Sequence, residues 1–121
     1  MCDWKQGVIF PRGAENAAFA PYFVGRSYLN MLSLEGVVIG NVTFEPGCRN
    51  NWHIHRAAKG GGQILLCIGG RGWYQEEGKP ARELRTAKDS WFAHLAVEIP
   101  GEGAGNEWCE PVDDEAYGKL P

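Results

Sequence analysis

The sequence predicts an all-β fold, a sandwich or jelly-roll barrel, on three observations. Seventeen glycines and seven prolines among 121 residues favour many short strands and turns over long helices. β-Branched and apolar stretches of strand length recur between those glycines and prolines, as they do in sheets closed on themselves. An apolar content of 44% with five tryptophans marks a chain that folds around a core. One domain of this length can bury a modest core without staples.

Taken in order, residues 1–21 carry Pro11, Gly13 and Pro21 and no clear period. They read as an N-terminal arm that wraps the barrel or a partner subunit. The barrel is expected over 22–99. Its first strand spans 22–34, and Glu35-Gly36 turns the chain. Residues 37–45 are β-branched and stop at Pro46-Gly47, a strand and a turn. Strands at 51–55, 63–68 and 73–76 follow, with Gly69-Gly70-Arg71-Gly72 connecting the last two and Gly78-Lys79-Pro80 making a hairpin turn. A short strand at 82–84 and a long one at 90–99 complete the set, the latter ended by Pro100-Gly101. Residues 100–121 read as a loop and a terminal helical turn, with Asp113 as N-cap and Asp114 and Glu115 in the first turn.

Charge and composition exclude several functions. The net charge is −3 and the twelve basic residues are scattered, so no nucleic-acid footprint is present. No apolar run reaches membrane-spanning length. Met1-Cys2-Asp3-Trp4-Lys5 lacks the apolar stretch of a secretory leader. The four cysteines, Cys2, Cys48, Cys67 and Cys109, show no CxxC spacing and read as free thiols of a reducing cytoplasm rather than zinc ligands.

The chemistry concentrates in Gly47-Cys48-Arg49-Asn50-Asn51-Trp52-His53-Ile54-His55. Two histidines at i and i+2 share a face only on an extended backbone, with Ile54 on the other side. Past Gly60-Gly61-Gly62, Gln63 opens an apolar run. A hairpin there would lay an amide oxygen beside two imidazoles, three metal-ligand candidates on neighbouring strands. Imidazole and carbonyl oxygen suit Mn, Fe, Ni or Zn. Three neutral ligands would leave the ion's charge uncancelled and its Lewis acidity high. The plainer alternative is a pair of surface histidines flanking a glycine loop.

Gly47, five residues, His53-x-His55, seven residues, Gln63, six residues and Gly70 resemble the first motif of the cupin superfamily. The family spacer is three or four residues and its third ligand is usually Glu. The flanks Val42-Thr43-Phe44-Glu45-Pro46-Gly47 and Gly70-Arg71-Gly72-Trp73-Tyr74-Gln75, and the ending from His94, resemble one bacterial branch. That branch holds carboxymuconolactone-decarboxylase-associated cupins and manganese-dependent cupin hydroxynitrile lyases, in which Gln is a ligand. The resemblance runs from about Tyr22 onward. It implies a double-stranded β-helix (RmlC-like jelly roll) with His53, His55 and Gln63 as ligands of a divalent metal ion, Mn foremost and Fe, Ni or Zn as alternatives.

The second cupin motif, which supplies a further metal-binding histidine, should lie between the strands near 82–84 and 90–99. Only Arg85-Thr86-Ala87-Lys88-Asp89 stands there. Two strand segments and the usual fourth ligand are therefore expected to be missing.

The strand around Phe92, His94, Ala96 and Glu98 presents those four residues on one face. In the related cupins this strand lines the interior. His94 is then a general acid/base, a replacement fourth ligand or a structural histidine. Glu98 is a proton acceptor at the pocket mouth or a solvated strand end. By the same resemblance Gly40, Val42 and Phe92 line a small substrate pocket, core packing being the plainer role of Val42. Arg49 and Arg56 flank the histidines and could draw in an anion or simply be solvated.

The expected function is that of a metal-dependent cupin acting on a small organic molecule, lyase- or decarboxylase-like, with metal-bound substrate oxygen and a histidine proton carrier. A non-catalytic metal- or small-molecule-binding module and a cupin dioxygenase are the alternatives, since fold does not fix chemistry. Expected partners are a small-molecule substrate and a second copy of the chain, as homodimer or higher homo-oligomer, because an incomplete sheet leaves edges to cover.

Overall fold

A computed structural model describes residues 9–85 and 91–120. Its main layer is a six-stranded antiparallel sheet in the order β1-β3-β4-β10-β8-β9. These strands are β1 (Ala14–Glu15), β3 (Ser27–Ser33), β4 (Val38–Phe44), β8 (Gln63–Tyr74), β9 (Arg82–Arg85) and β10 (Phe92–Glu98). Three two-stranded pieces complete the described β-structure: β2 (Phe23–Val24) with β5 (Arg49–Asn50), β6 (His53–Arg56) with β12 (Gly105–Trp108), and β7 (Lys59–Gly60) with β11 (Gly101–Glu102). The order is far from sequential, as in jelly-roll rather than meander connectivity.

Buried apolar residues lie on both faces of the large sheet, Phe44, Phe92 and Ala96 on one and Tyr28 and Ala93 on the other. Phe44 and Phe92 sit opposite each other on β4 and β10 with ring centroids 5.5 Å apart, and Phe23 closes on Phe44 at 5.7 Å. Such tilted aromatic pairs add to the burial of their own area. On the other face Asn41 is fully buried, and its side-chain amide donates to the Pro11 carbonyl at 2.8 Å. Asn30 donates to the same carbonyl at 3.0 Å. The arm is thus tied across the sheet by polar contacts.

Several elements differ from expectation. The expected strand over 22–34 is broken: Ala20–Tyr22 is a 3₁₀ turn, and Gly25, at φ +90°, separates β2 from β3. The glycine-rich connection expected at 69–72 belongs to the single twelve-residue strand β8. Its glycines answer a packing need. A Cβ on Gly70 would lie 1.6 Å from the Trp91 carbonyl oxygen, and one on Gly72 would lie 2.5 Å from the Phe92 ring. A bulge between Ala93 and His94 takes up the register change beside them.

The stretch after Pro100, expected to be loop, supplies β11 and β12. β12 is the hydrogen-bonded neighbour of β6. Between β9 and β10, residues 86–90 lie outside the described residues, so the gap where the second motif was sought and the start of the strand expected at 90–99 fall there. The terminal helix α1 (Asp114–Gly118) forms as expected, with Asp113 accepting from the Ala116 N–H. No helix among the described residues is long and apolar enough to cross a membrane.

Candidate metal centre

The segment 49–56 changes partner halfway along. β5 pairs with β2, and the Asn51 N–H donates to the Tyr22 carbonyl at 2.8 Å. From Trp52 onward the partner is the C-terminal stretch. The Trp52 N–H donates to Glu110 and the Cys109 N–H to Trp52, after which β6 runs against β12. Burial alternates along β6, with His53 and His55 less exposed than Ile54 and Arg56. The period of two therefore turns both imidazoles inward.

The two rings meet edge to face, with centroids 5.0 Å apart. Nδ1 of His53 lies 2.8 Å from the Asn51 carbonyl oxygen. A carbonyl only accepts, so that nitrogen carries the proton and Nε2 keeps its lone pair. Metal-binding histidines are oriented by this kind of bond. Trp108, opposite His53 in register, closes on its ring at 4.9 Å and stacks on Tyr22 at 4.3 Å. With Asn106 opposite His55, Trp108 forms the floor beside the pair. Neither residue was expected at the site. The signal available was their alternation in Gly105-Asn106-Glu107-Trp108, which is too short to mark a strand by itself.

Gln63 reaches the interior from a different sheet. The expected hairpin with the histidine strand does not form, because β7 intervenes and β8 pairs with β10 and β9. Gln63 stands directly opposite Glu98, and its Nε2 donates to the Glu98 carboxylate. Among the described residues no group of three or more His, Cys, Asp and Glu side chains is gathered for a metal. His53 and His55 are brought together, and Gln63, a residue of another type, is paired with Glu98.

His94 occupies a separate niche. It lies opposite Val42 on β4 and Cys67 on β8, between Phe44 and Phe92 at ring-centroid distances of 5.4 and 5.5 Å. It is 9% exposed, and its Nδ1 has no hydrogen-bond partner. Burial pulls its pKa down to about 4, a backbone hydrogen bond at Leu95 opposing weakly, so the imidazole is neutral near pH 7. Phe92 and Val42 share this face. Gly40, opposite Ala96, lies where a Cβ would press on Leu29 and Met31 at 3.2 and 3.4 Å.

The flanking residues have other tasks. Arg49 is neither solvated nor free to attract an anion. It donates to the Val112 carbonyl at 2.7 Å and the Gly47 carbonyl at 3.1 Å, pairs with Asp114 and lies over the Tyr117 ring. Arg56 pairs with Glu107. Burial, aided by Glu45, pushes the Cys48 thiol up to about 12. Coordination needs a thiolate, so Cys48 is a poor ligand.

Two imidazoles on one face, one with its tautomer set for coordination, are donors of the type that suits a divalent ion, while Gln63 stands on a different sheet with its amide nitrogen engaged by Glu98. No protein-family model matches the chain. It is 34% identical over 93 residues to a protein named (R)-mandelonitrile lyase from Granulicella tundricola, an alignment covering 64% of this chain and 68% of that one. A solved structure of a cupin-like protein from Thermotoga maritima matches with a TM-score of 0.68 at 30% identity, over 93% of this chain and 96% of the other. Cupins commonly bind a metal ion. The non-sequential antiparallel sheets, the inward HxH strand and these likenesses agree, and the chain belongs to the cupin superfamily.

Proposed function

We propose that this protein is a metal-dependent lyase acting on a small hydroxylated molecule of the α-hydroxynitrile type. The observation that carries the reading is the inward pair His53 and His55, with the His53 tautomer set by Asn51. The similarity to a protein named (R)-mandelonitrile lyase supports the reaction class.

In this reading His53 and His55 hold the ion, Mn foremost, through ring nitrogens, and Gln63 holds it through its amide oxygen. The bound ion supplies Lewis acidity toward a substrate oxygen. His94 carries the proton. Its buried neutral ring has an Nδ1 without a hydrogen-bond partner and lies between Phe44 and Phe92. Such a base is weak, and it suits a hydroxyl already made acidic. Phe92, Val42 and Gly40 share the His94 face as the wall of a small pocket. Trp108 and Tyr22 offer a flat aromatic surface beside His53.

Self-association and a reducing compartment belong to the same proposal. Ile64 and Leu66, 48% and 50% exposed, lie on the outward face of β8 beside Val97 and Leu95 of β10. A second copy covering that face would remove an apolar patch from water. Cys48 and Cys109 are free thiols, which suits a cytoplasmic setting.

The test is to load the purified chain with Mn²⁺, remove excess, and measure bound metal and cleavage of (R)-mandelonitrile to aldehyde and cyanide. Stoichiometric metal and cleavage, both lost in His53→Ala and His55→Ala, support the reading. Absence of bound metal under saturating Mn²⁺, Fe²⁺, Ni²⁺ and Zn²⁺ sinks it. A second reading, a non-catalytic metal-binding module, is favoured by one observation: His94 sits in its own aromatic niche, and the contacts of the histidine pair run to Trp108. Metal without cleavage of any tested hydroxynitrile, or of a dioxygenase substrate under O₂, would select it.

A further inference from the structure

We propose that Glu98 is a positioning residue that fixes which end of the Gln63 amide is offered to the metal, an inference that rests on the metal-site reading above. A glutamine side chain has two nearly isosteric ends, and only the oxygen can bind a cation. An unconstrained amide samples both rotations before the ion arrives, so a partner that holds the oxygen toward the site removes that ordering cost from binding. The usual glutamate has no such need, both its oxygens being ligands.

The constraint is built into the sheet. Gln63 and Glu98 are directly opposite in the antiparallel β8–β10 ladder. The Ile99 N–H donates to the Gly62 carbonyl at 3.0 Å, closing the ladder one residue beyond them. Across this pair the Gln63 Nε2 donates to Glu98 Oε1. A carboxylate oxygen only accepts, so the end of the amide that faces Glu98 must be the nitrogen. Gln63 Oε1 is thereby turned from Glu98 and left as the free acceptor. This assigns Glu98 a role other than proton transfer. Its carboxylate orients a ligand, as partners of metal ligands generally do.

The test is Mn²⁺ binding by equilibrium dialysis with elemental analysis, with circular dichroism and the thermal midpoint recorded on each form. The forms are the unmodified chain, Glu98→Gln, Gln63→Glu, the double variant Gln63→Glu/Glu98→Gln, and His53→Ala. In Glu98→Gln the partner offers either end of an amide, and Mn²⁺ affinity is expected to fall on the order of 10–100-fold with the fold unchanged. In the double variant the amide at position 98 donates to a carboxylate at position 63 that needs no orienting, and affinity is expected to return. A carboxylate at position 63 binds the cation more strongly whatever stands at 98, so Gln63→Glu alone completes the cycle. The positioning role expects the residue at 98 to matter beside Gln63 and not beside the carboxylate, and an equal fall in both backgrounds overturns it. Unaltered affinity in Glu98→Gln, with binding lost in His53→Ala, overturns the positioning role and leaves the metal site standing. Binding absent from the unmodified chain, or unchanged in His53→Ala, overturns the metal site and the positioning role with it. If Glu98→Gln does not fold, Glu98→Ala takes its place in the same cycle: a fall in affinity confined to the Gln63 background supports the proposal, and an equal effect in both backgrounds, or none, overturns it.

Discussion

His94 on β10 packs against Phe44 on β4 at 5.4 Å between ring centroids, a basic ring set into an aromatic wall with its Nδ1 unpartnered. Its ordinary value of 6.5 is lowered to about 4 by burial. Between those two values the unfolded chain binds a proton that the folded chain does not, so stability rises with pH across that window. The contribution is fully present above about pH 6.5 and is lost as pH falls toward 4. Its ceiling is about 3 kcal/mol, at about 1.4 kcal/mol for each pKa unit. Urea titrations at several pH values from 4 to 7 are expected to show this slope. The variant His94→Leu should flatten it and, having no buried unpaired nitrogen, should lose no stability at pH 7. An equal slope in both proteins would refute the assignment.

Gly70 and Gly72 should tolerate no side chain. A Cβ at Gly70 collides with the Trp91 carbonyl, and one at Gly72 with the Phe92 ring. Gly78 also has positive φ, at +72°, but open space around it. Gly70→Ala is therefore expected to cost more than about 4 kcal/mol or prevent folding. Gly78→Ala should cost about 1 kcal/mol, the conformational term alone. Thermal midpoints of the two variants give the comparison, and similar values would contradict the packing argument.

Arg49 ties the histidine segment to the C-terminal helix through Val112, Asp114 and Tyr117. Lysine keeps the charge and loses the fork that reaches several acceptors at once. Arg49→Lys is expected to cost about 2 kcal/mol, the scale of a hydrogen bond to a charged group. Amide exchange should quicken first at 113–118. Asp113→Ala, removing the cap on the Ala116 N–H, should cost about 1 kcal/mol and open the same segment.

Self-association through the outer face makes a simple prediction. Ile64→Lys/Leu66→Lys places charge on an exposed apolar patch and should leave the monomer fold intact. Sedimentation of the unmodified chain is expected to show a dimer or larger assembly that the double variant lacks. A monomeric unmodified chain ends this part of the proposal.

Much of the architecture could be read in the residues, and the exceptions have a common origin. The β-branched strand ending at Pro46-Gly47, the HxH strand and the Asp113 cap all formed where local chemistry placed them. Each depends on neighbours within a few positions, where side-chain alternation and hydrogen bonding act directly. The glycines of β8 resemble a turn because a glycine that permits a turn and one that permits a close crossing look alike in sequence. β12 is not legible in the sequence, because its four residues carry too little pattern to declare a strand.

What the residues determined alone is the chemistry on offer: two imidazoles sharing a face, a glutamine, a histidine among aromatics, and the all-β character that holds them. Tertiary structure decided who meets whom. The histidine strand took its neighbour from β12, Gln63 found Glu98 thirty-five residues along the chain, and His94 came to lie between Phe44 and Phe92. Strand pairing is a choice among many edges of similar propensity, settled by the burial of the whole sheet rather than by any one stretch.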